Sequence, residues 1–256
     1  MKILAIGDIV GNKCVDYLAD RLFLVKQELG ADMVVANGEN ASDIHGISAK
    51  NATDILSAGV DVITLGNHTF ARKDICEILG GDYNVIRPAN YPSLVPGIGH
   101  ITVEVCGYRI LCMNVMGTAL MEPMACPFET VENILNAEKG NYDFSLLDIH
   151  AEATSEKIAL ARYFDGRINI IFGTHTHVTT ADEQILPRGT GYITDLGMSG
   201  PVNGVLGTDA SVVIERMRTK IPTRFVIADG EIKVNGTLFE LDTDTRRVKS
   251  VRRVKF

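Results

Sequence analysis

The sequence predicts an α/β fold with much parallel sheet, and three observations predict it. Short apolar runs rich in Val and Ile recur along the chain, segments with helical spacing separate several of them, and no linker rich in Pro, Gly or Ser interrupts the pattern. With 256 residues, 46% of them hydrophobic and 22% charged, the chain can bury a large core. A single core stops growing at roughly 250–300 residues, so one domain over residues 1–256 is expected, with 209–256 as a hairpin-rich addition to it.

The elements follow in order. KILAI (2–6) is a continuous apolar run of buried-strand length, bounded by Gly7. VDYLADRLFLVKQEL (15–29) repeats apolar residues at helical spacing and ends at Gly30, a residue type that commonly terminates helices. MVVA (33–36) and VITL (62–65) read as strands on either side of AKNATDILSA (49–58), a helix closed by Gly59. RILCMNV (109–115) is a further strand, and FETVENILNAEK (128–139) a helix behind Pro127, which the first helical turn tolerates. FSLLDI (144–149), INIIF (168–172) and YITDL (192–196) complete the strands, with TSEKIALARYF (154–164) a helix opened by Thr154 and Ser155 and closed near Gly166. From about residue 209, ASVVIERM, TRFVIADGEIKVNGTLFEL and VKSVRRVKF alternate around DG and NG pairs, which predicts hairpins forming an added sheet. In the last of them Val248, Val251 and Val254 are expected to face inward.

Charge narrows the class of partner. Against 25 Lys and Arg stand 32 Asp and Glu, a formal charge of −7, which argues against broad attraction to nucleic acid or an anionic membrane. The terminal RRVKSVRRVKF carries six basic side chains and no acid. It is expected to be a solvated strand, with RNA or a homo-oligomer contact as open alternatives. No stretch approaches the roughly 18 apolar residues of a membrane span, and MKILAIGDIV meets Asp8 before a signal-peptide core is complete. A cytoplasmic protein with no membrane partner is expected. Five cysteines, an odd number without a CxxC pair, predict reduced, buried thiols.

The residues that carry chemistry fall just after apolar runs. Asp8 follows KILAIG, Glu39 and Asn40 follow MVVANG, Asn67 and His68 follow VITLG, His150 closes FSLLDI, and His175 and His177 follow INIIFGT. Ligands of open α/β sheets bind outside the carboxyl ends of strands, so the five clusters are expected to converge on one rim. Singly each has a plainer explanation: Asp8 as a helix cap, Glu39 and Asn40 as a turn, His150 as a satisfied core histidine. The HxH of His175 and His177 is more specific, because residues two apart in an extended segment point to the same side. Carboxylates, amide oxygens and imidazoles without thiolate form a mixed O/N shell that suits Fe, Mn or Zn in an open catalytic site. There are donors enough for two ions, which can orient a phosphate and lower the pKa of a bridging water.

GD at 7–8, NGEN at 37–40, GNH at 66–68, His150 and GTHTH at 173–177 resemble, in that order, the five blocks of the calcineurin-like metallophosphoesterases. GDIVG, NGENA, GNHT, IHAEATSEK and GTHTHV resemble the YmdB-like phosphodiesterase branch more closely still, over residues 1 to about 210. The resemblance implies a four-layer sandwich of two mixed β-sheets flanked by helices, with a dinuclear centre at the strand ends. It implies Asp8, Glu39 and His177 on one metal and Glu39, Asn67, His150 and His175 on the other, with Glu39 as the bridge. It further implies His68 acting on the phosphate without coordinating, and Asn40 aiding the first metal or the phosphate. A bridging hydroxide would then attack a small phosphodiester, with 2′,3′-cyclic nucleotides as the expected substrates.

Three positions depart from the broad family. Val10 stands where many members have a histidine, Glu39 where aspartate is commoner, and Thr69 where an acid would orient His68. The YmdB-like branch shares them. A phosphate loop at GDIVGNK lacks the glycine spacing and the hydroxyl, and Gly7 with Gly11 do not make a dinucleotide fingerprint. GMSGPVNGVLG (197–207) reads either as a wall over the site or as a plain connection, and His45 and His100 as loop histidines. Two rival functions remain: a regulatory protein that binds nucleotides or partners on the same fold with weak turnover, and a dinuclear amide hydrolase.

Overall fold

The computed structural model describes residues 1–43 and 45–256. Its first half runs β1 (Lys2–Ile6), α1 (Asn12–Leu29), β2 (Met33–Asn37), α2 (Ala49–Ser57), β3 (Val62–Thr64), β4 (Val85–Ile86), β5 (His100–Val105) and β6 (Tyr108–Met116). Next come α3 (Pro127–Ala137), β7 (Phe144–His150), α4 (Thr154–Tyr163), β8 (Ile170–Thr174), β9 (Gln184–Ile185) and β10 (Gly191–Ile193). β11 (Gly200–Pro201), α5 (Ala210–Thr219), β12 (Ile232–Lys233), β13 (Asn235–Asp242) and β14 (Arg247–Lys255) close the chain.

Two six-stranded sheets hold the structure, in the orders β14-β13-β1-β2-β3-β4 and β5-β6-β7-β8-β10-β9. In the first, β1 to β4 run parallel, β13 runs antiparallel to β1, and β14 runs antiparallel to β13; in the second, β6, β7, β8 and β10 are parallel between antiparallel edges. Both sheets are therefore mixed. Strands such as β2 and β7 are buried along their whole length, as parallel strands covered on both faces must be.

Three apolar clusters define the layers. One joins α1 and α2 to the first sheet through Leu18, Leu22, Ile55 and Val34. A second lies between the sheets, with Ala5, Val35, Phe144, Ile170 and Phe239. The third joins the second sheet to α3 and α4 through Val131, Leu160, Leu147 and Ile171. Helices, sheet, sheet, helices: four layers need three buried interfaces, and these are the three.

The C-terminal segment departs from the hairpin expectation. ASVVIERM is not a strand but opens α5, because the Asp209 side chain caps the amides of Ser211 and Val212 and Arg216 and Arg218 occupy the last turn. Within the helix only Val213 is buried. Asn235-Gly236 is not a turn either, since Gly236 pairs with both Ile6 and Val254 inside β13. β13 and β14 do form a hairpin, but they extend the first sheet beside β1 instead of making a separate one. An irregularity in their register at Glu240/Leu241 lets Val248 and Val251 pack between the sheets, while Val254 joins the helix-side cluster.

Other expectations resolve locally. Pro127 occupies the first turn of α3, Gly30 caps α1 in the left-handed region, and Thr154 begins α4. His100 lies in β5, not a loop. All five cysteines are free, but Cys76, Cys106 and Cys126 are exposed, so only Cys14 and Cys112 are the buried thiols expected. Among the described residues no helix is long and apolar enough to cross a membrane.

Candidate metal centre

Parallel strands deliver their carboxyl ends to one rim, and the five polar clusters meet there. Asp8 follows β1, Glu39 and Asn40 follow β2, and Asn67 and His68 follow β3, all from the first sheet. His150 ends β7, and His175 and His177 follow β8 in the second. The rim therefore straddles both sheets. Asp8 is not the cap of α1, whose N-terminus is Gly11 without a side-chain bond.

Four donors converge on one point. His150 Nε2 lies 3.1 Å from Glu39 Oε1, 2.9 Å from Asn67 Oδ1 and 3.1 Å from His175 Nδ1. A single ring nitrogen cannot satisfy three such neighbours, so the lone pairs face a common centre of the kind a cation fills. Ligand atoms of Glu39, His150 and His175 all lie within 4.8 Å of one another. Beside them, Asp8 Oδ1 is 3.9 Å from His177 Nε2, and Asn40 Nδ2 is 3.4 Å from the same nitrogen. Asn40 Oδ1 and His177 Nδ1 are buried with no hydrogen-bond partner, although buried polar atoms are nearly always paired. The donor set fits divalent metal, and the unpartnered Asn40 Oδ1 belongs to the same amide that faces His177 Nε2.

Buried charge supports the same conclusion. Burial raises the Asp8 carboxyl to about 6, against the opposing pull of His177 and His150. Burial also works to raise Glu39, but His150 and His68 outweigh it and hold the acid at about 2. For His150 burial pulls downward, and Glu39, Asp8 and Asp148 reverse it, lifting the imidazole to about 9. Burial and the neighbouring His150 push His175 down to about 3. The carboxylates thus demand positive charge at this point of the rim.

The HxH segment is not extended, contrary to the sequence reading. His175 and His177 both lie at positive φ, 94° and 64°, a conformation that non-glycine residues hold only when the surroundings enforce it. Here the enforcement is polar. Asp195 accepts hydrogen bonds from the Thr176 amide at 3.2 Å and hydroxyl at 2.8 Å, and pairs at 2.6 Å with Lys157, both side chains fully buried. Lys157 also donates to the Thr174 carbonyl at 2.7 Å. The turn separates the two rings, sending His175 toward Glu39 and His150 and His177 toward Asp8.

Further supports escaped sequence reasoning. His150 Nδ1 bonds Thr174 Oγ1 at 2.9 Å, and that hydroxyl donates to Asp148 at 2.7 Å, fixing the imidazole from behind. Glu152 meets His175 Nε2 at 3.1 Å, orienting the other nitrogen inward. Asp148 stands within the quoted strand FSLLDI and Glu152 within IHAEATSEK, but nothing in a strand's pattern says which acid turns toward a neighbouring histidine. His45 is not a plain loop histidine, since its ring stacks on His68 at 4.4 Å and lines the same cavity. The Thr69 hydroxyl donates to the Gly66 carbonyl at 2.6 Å, and the His68 ring contacts the stacked His45 and, through Nε2, the Asn67 side-chain amide at 3.3 Å. His68 itself donates its amide to Glu39 Oε2 at 3.0 Å and borders cavities on both sides of the centre.

Comparison with known proteins identifies the family and the fold. A family profile described as YmdB-like protein matches residues 4–254. The 2′,3′-cyclic-nucleotide 2′-phosphodiesterase of Bacillus subtilis (strain 168) is 38% identical over 254 residues, covering 99% of this chain and 96% of its own. A crystal structure described as a novel phosphatase from Mycoplasma pneumoniae superposes with a TM-score of 0.93 at 32% identity, covering 100% of this chain and 93% of its own. A putative 5′-nucleotidase from Staphylococcus aureus shares the fold at a TM-score of 0.64 and 14% identity, with 54% of its chain covered.

Proposed function

The chain belongs to the YmdB-like family, and from that membership and the donor geometry we propose that it is a metal-dependent phosphodiesterase opening 2′,3′-cyclic nucleotides. The observation that carries the reading is the convergence of Glu39, Asn67, His150 and His175 on one point beside Asp8, Asn40 and His177. The activity for which the Bacillus subtilis relative is named supports the substrate class.

Glu39, Asn67, His150 and His175 would hold one ion and Asp8, Glu39 and His177 the other, with Asn40 beside the second. Two divalent ions, of Fe, Mn or Zn type, would supply Lewis acidity toward a phosphoryl oxygen and a nucleophilic water at neutral pH. The remaining work belongs to side chains. His68 carries its imidazole next to the donors without joining them, so it can hold a proton near the oxygen that leaves the phosphorus. Its stacking on His45 and the hydrogen bond its backbone amide donates to Glu39 fix its position. No serine or cysteine nucleophile is required. Glu39, bonded to the His68 amide and facing His150, couples the donor cluster to that proton carrier.

The test is product identity. Incubation with 2′,3′-cyclic AMP and Mn²⁺, Fe²⁺ or Zn²⁺ is expected to yield 3′-AMP by opening at the 2′ oxygen, resolved by chromatography. Silence with every metal would refute the hydrolase reading and leave the regulatory binder.

A further inference from the structure

The donor cluster forms only one end of its cavity. That cavity, about 340 Å³, is lined at the polar end by Glu39, His68, His175 and His177 and at the other by Val10, Leu206, Phe225 and Ile227. Its volume is at the lower end of the range for small-molecule sites, roughly 300–1,000 Å³.

The apolar end is a built wall. Asp209 donates its amide to the Val226 carbonyl at 2.8 Å and Ala228 donates to Gly207 at 2.8 Å, tying two loop segments into a short antiparallel ladder. Residues two apart on such a ladder share a face. Accordingly Leu206 and Thr208 from one segment and Phe225 and Ile227 from the other line the cavity, while Val226 between them is exposed. A side chain at Gly207 would meet Val10 Cγ1 at 2.7 Å, so the bare backbone there lets the ladder close onto the rim. Leu206 is held at φ 50°, and the Arg216 guanidinium of α5 lies 4.7 Å from the Phe225 ring centroid. A leucine at positive φ and a phenylalanine backed by a cation are features held in place by their surroundings.

A ligand matching both ends carries an anionic group at one side and a flat, weakly polar body at the other. We propose that Phe225, with Leu206 and Ile227, forms the nucleobase subsite of this enzyme. The proposal rests on the phosphodiesterase reading and adds to it the part of the substrate that the donor cluster does not touch. Among the wall residues only Thr208 offers a side-chain hydrogen bond, so the base is recognised by stacking and apolar contact, not by its edge. Base-bearing diesters are therefore favoured strongly over base-free ones, and one base over another only weakly.

The experiment compares kcat/KM for 2′,3′-cyclic AMP, 2′,3′-cyclic CMP and the base-free 1-O-methylribose 2,3-cyclic phosphate. The wild type is expected to prefer the base-bearing diesters by about 10- to 100-fold, the range that base–aromatic stacking confers. Its preference for AMP over CMP should stay below about 10-fold. Phe225→Ala should collapse the first ratio toward one and Phe225→Tyr should keep it. If the alanine variant shows no cooperative melting, Phe225→Leu, which keeps bulk but no aromatic face, should lose the ratio instead. A wild type without the preference, or a folded Phe225→Ala or Phe225→Leu that retains it, overturns the subsite. Should the wild type turn over none of the three diesters, the phosphodiesterase reading fails separately. Calorimetric titration with 3′-AMP then decides the subsite: binding at least tenfold weaker in Phe225→Ala upholds it and equal binding overturns it.

Discussion

Replacing Gly66 with alanine probes the donor geometry with a single methyl group. Gly66 is not among the residues at positive φ, so alanine carries no backbone strain there and the requirement for glycine is spatial. A Cβ at this position would lie 2.3 Å from His150 Nε2 and 2.4 Å from Glu39 Oε2. Ordinary contact needs about 3.5 Å, so two donors must each retreat by roughly 1 Å, or the strand end must move by as much. Metal–ligand distances tolerate only about ±0.2 Å, and misplacement of about 1 Å at a reacting centre costs on the order of 10²-fold in rate. Overpacking costs about 1–3 kcal/mol, which for a chain of this size lowers Tm by roughly 2–12 °C. The expected variant is folded, poor in metal by elemental analysis, and at least about 100-fold slower on 2′,3′-cyclic AMP. Gly81→Ala, whose nearest neighbour would be 3.7 Å away, controls for the substitution itself. A Gly66→Ala protein with full metal content and more than about a third of wild-type turnover would refute the geometry.

Three more outcomes follow from the same structure. His68→Ala should leave metal content nearly intact and lower turnover by roughly 10²–10⁴-fold, as for loss of a general acid or base; unchanged turnover removes His68 from the chemistry. Glu39→Gln should reduce occupancy at both metal positions together, and elemental analysis showing loss of one ion alone contradicts a bridging carboxylate. Lys157→Met strands the fully buried Asp195 without its cation, which should cost about 3–5 kcal/mol in urea unfolding; a loss under about 1 kcal/mol would mean the pair does not support the loop between His175 and His177.

Much of the site was legible because strand topology converts sequence position into spatial position. A polar residue just past an apolar run lies at a strand end, and parallel strands put those ends on one rim. That rule brought Asp8, Glu39, Asn67, His150 and His175 together without any pairing information. It said nothing of His45, whose place depends on the path of a loop, or of Asp148, whose partner Thr174 comes from the next strand. It also misjudged how His175 and His177 are presented, because an extended segment was assumed where Asp195 enforces a turn. ASVVIERM fails for a related reason: its β-branched residues favour a strand, but the Asp209 cap and the basic last turn favour a helix.

Hydrophobic period and the residue types after each run are local properties, and they determined the α/β class, the order of the main strands and helices before residue 209 and the chemical character of the donors. Which strands pair, which sheet faces which, and which buried acid braces which imidazole depend on contacts between residues far apart in the chain. Asn37 reaches Asp148 across 111 positions and Asp8 accepts from the His175 amide across 167. Such pairs leave no periodic trace, because the free energy that selects them comes from burying both partners together, which happens only when the two sheets close on each other.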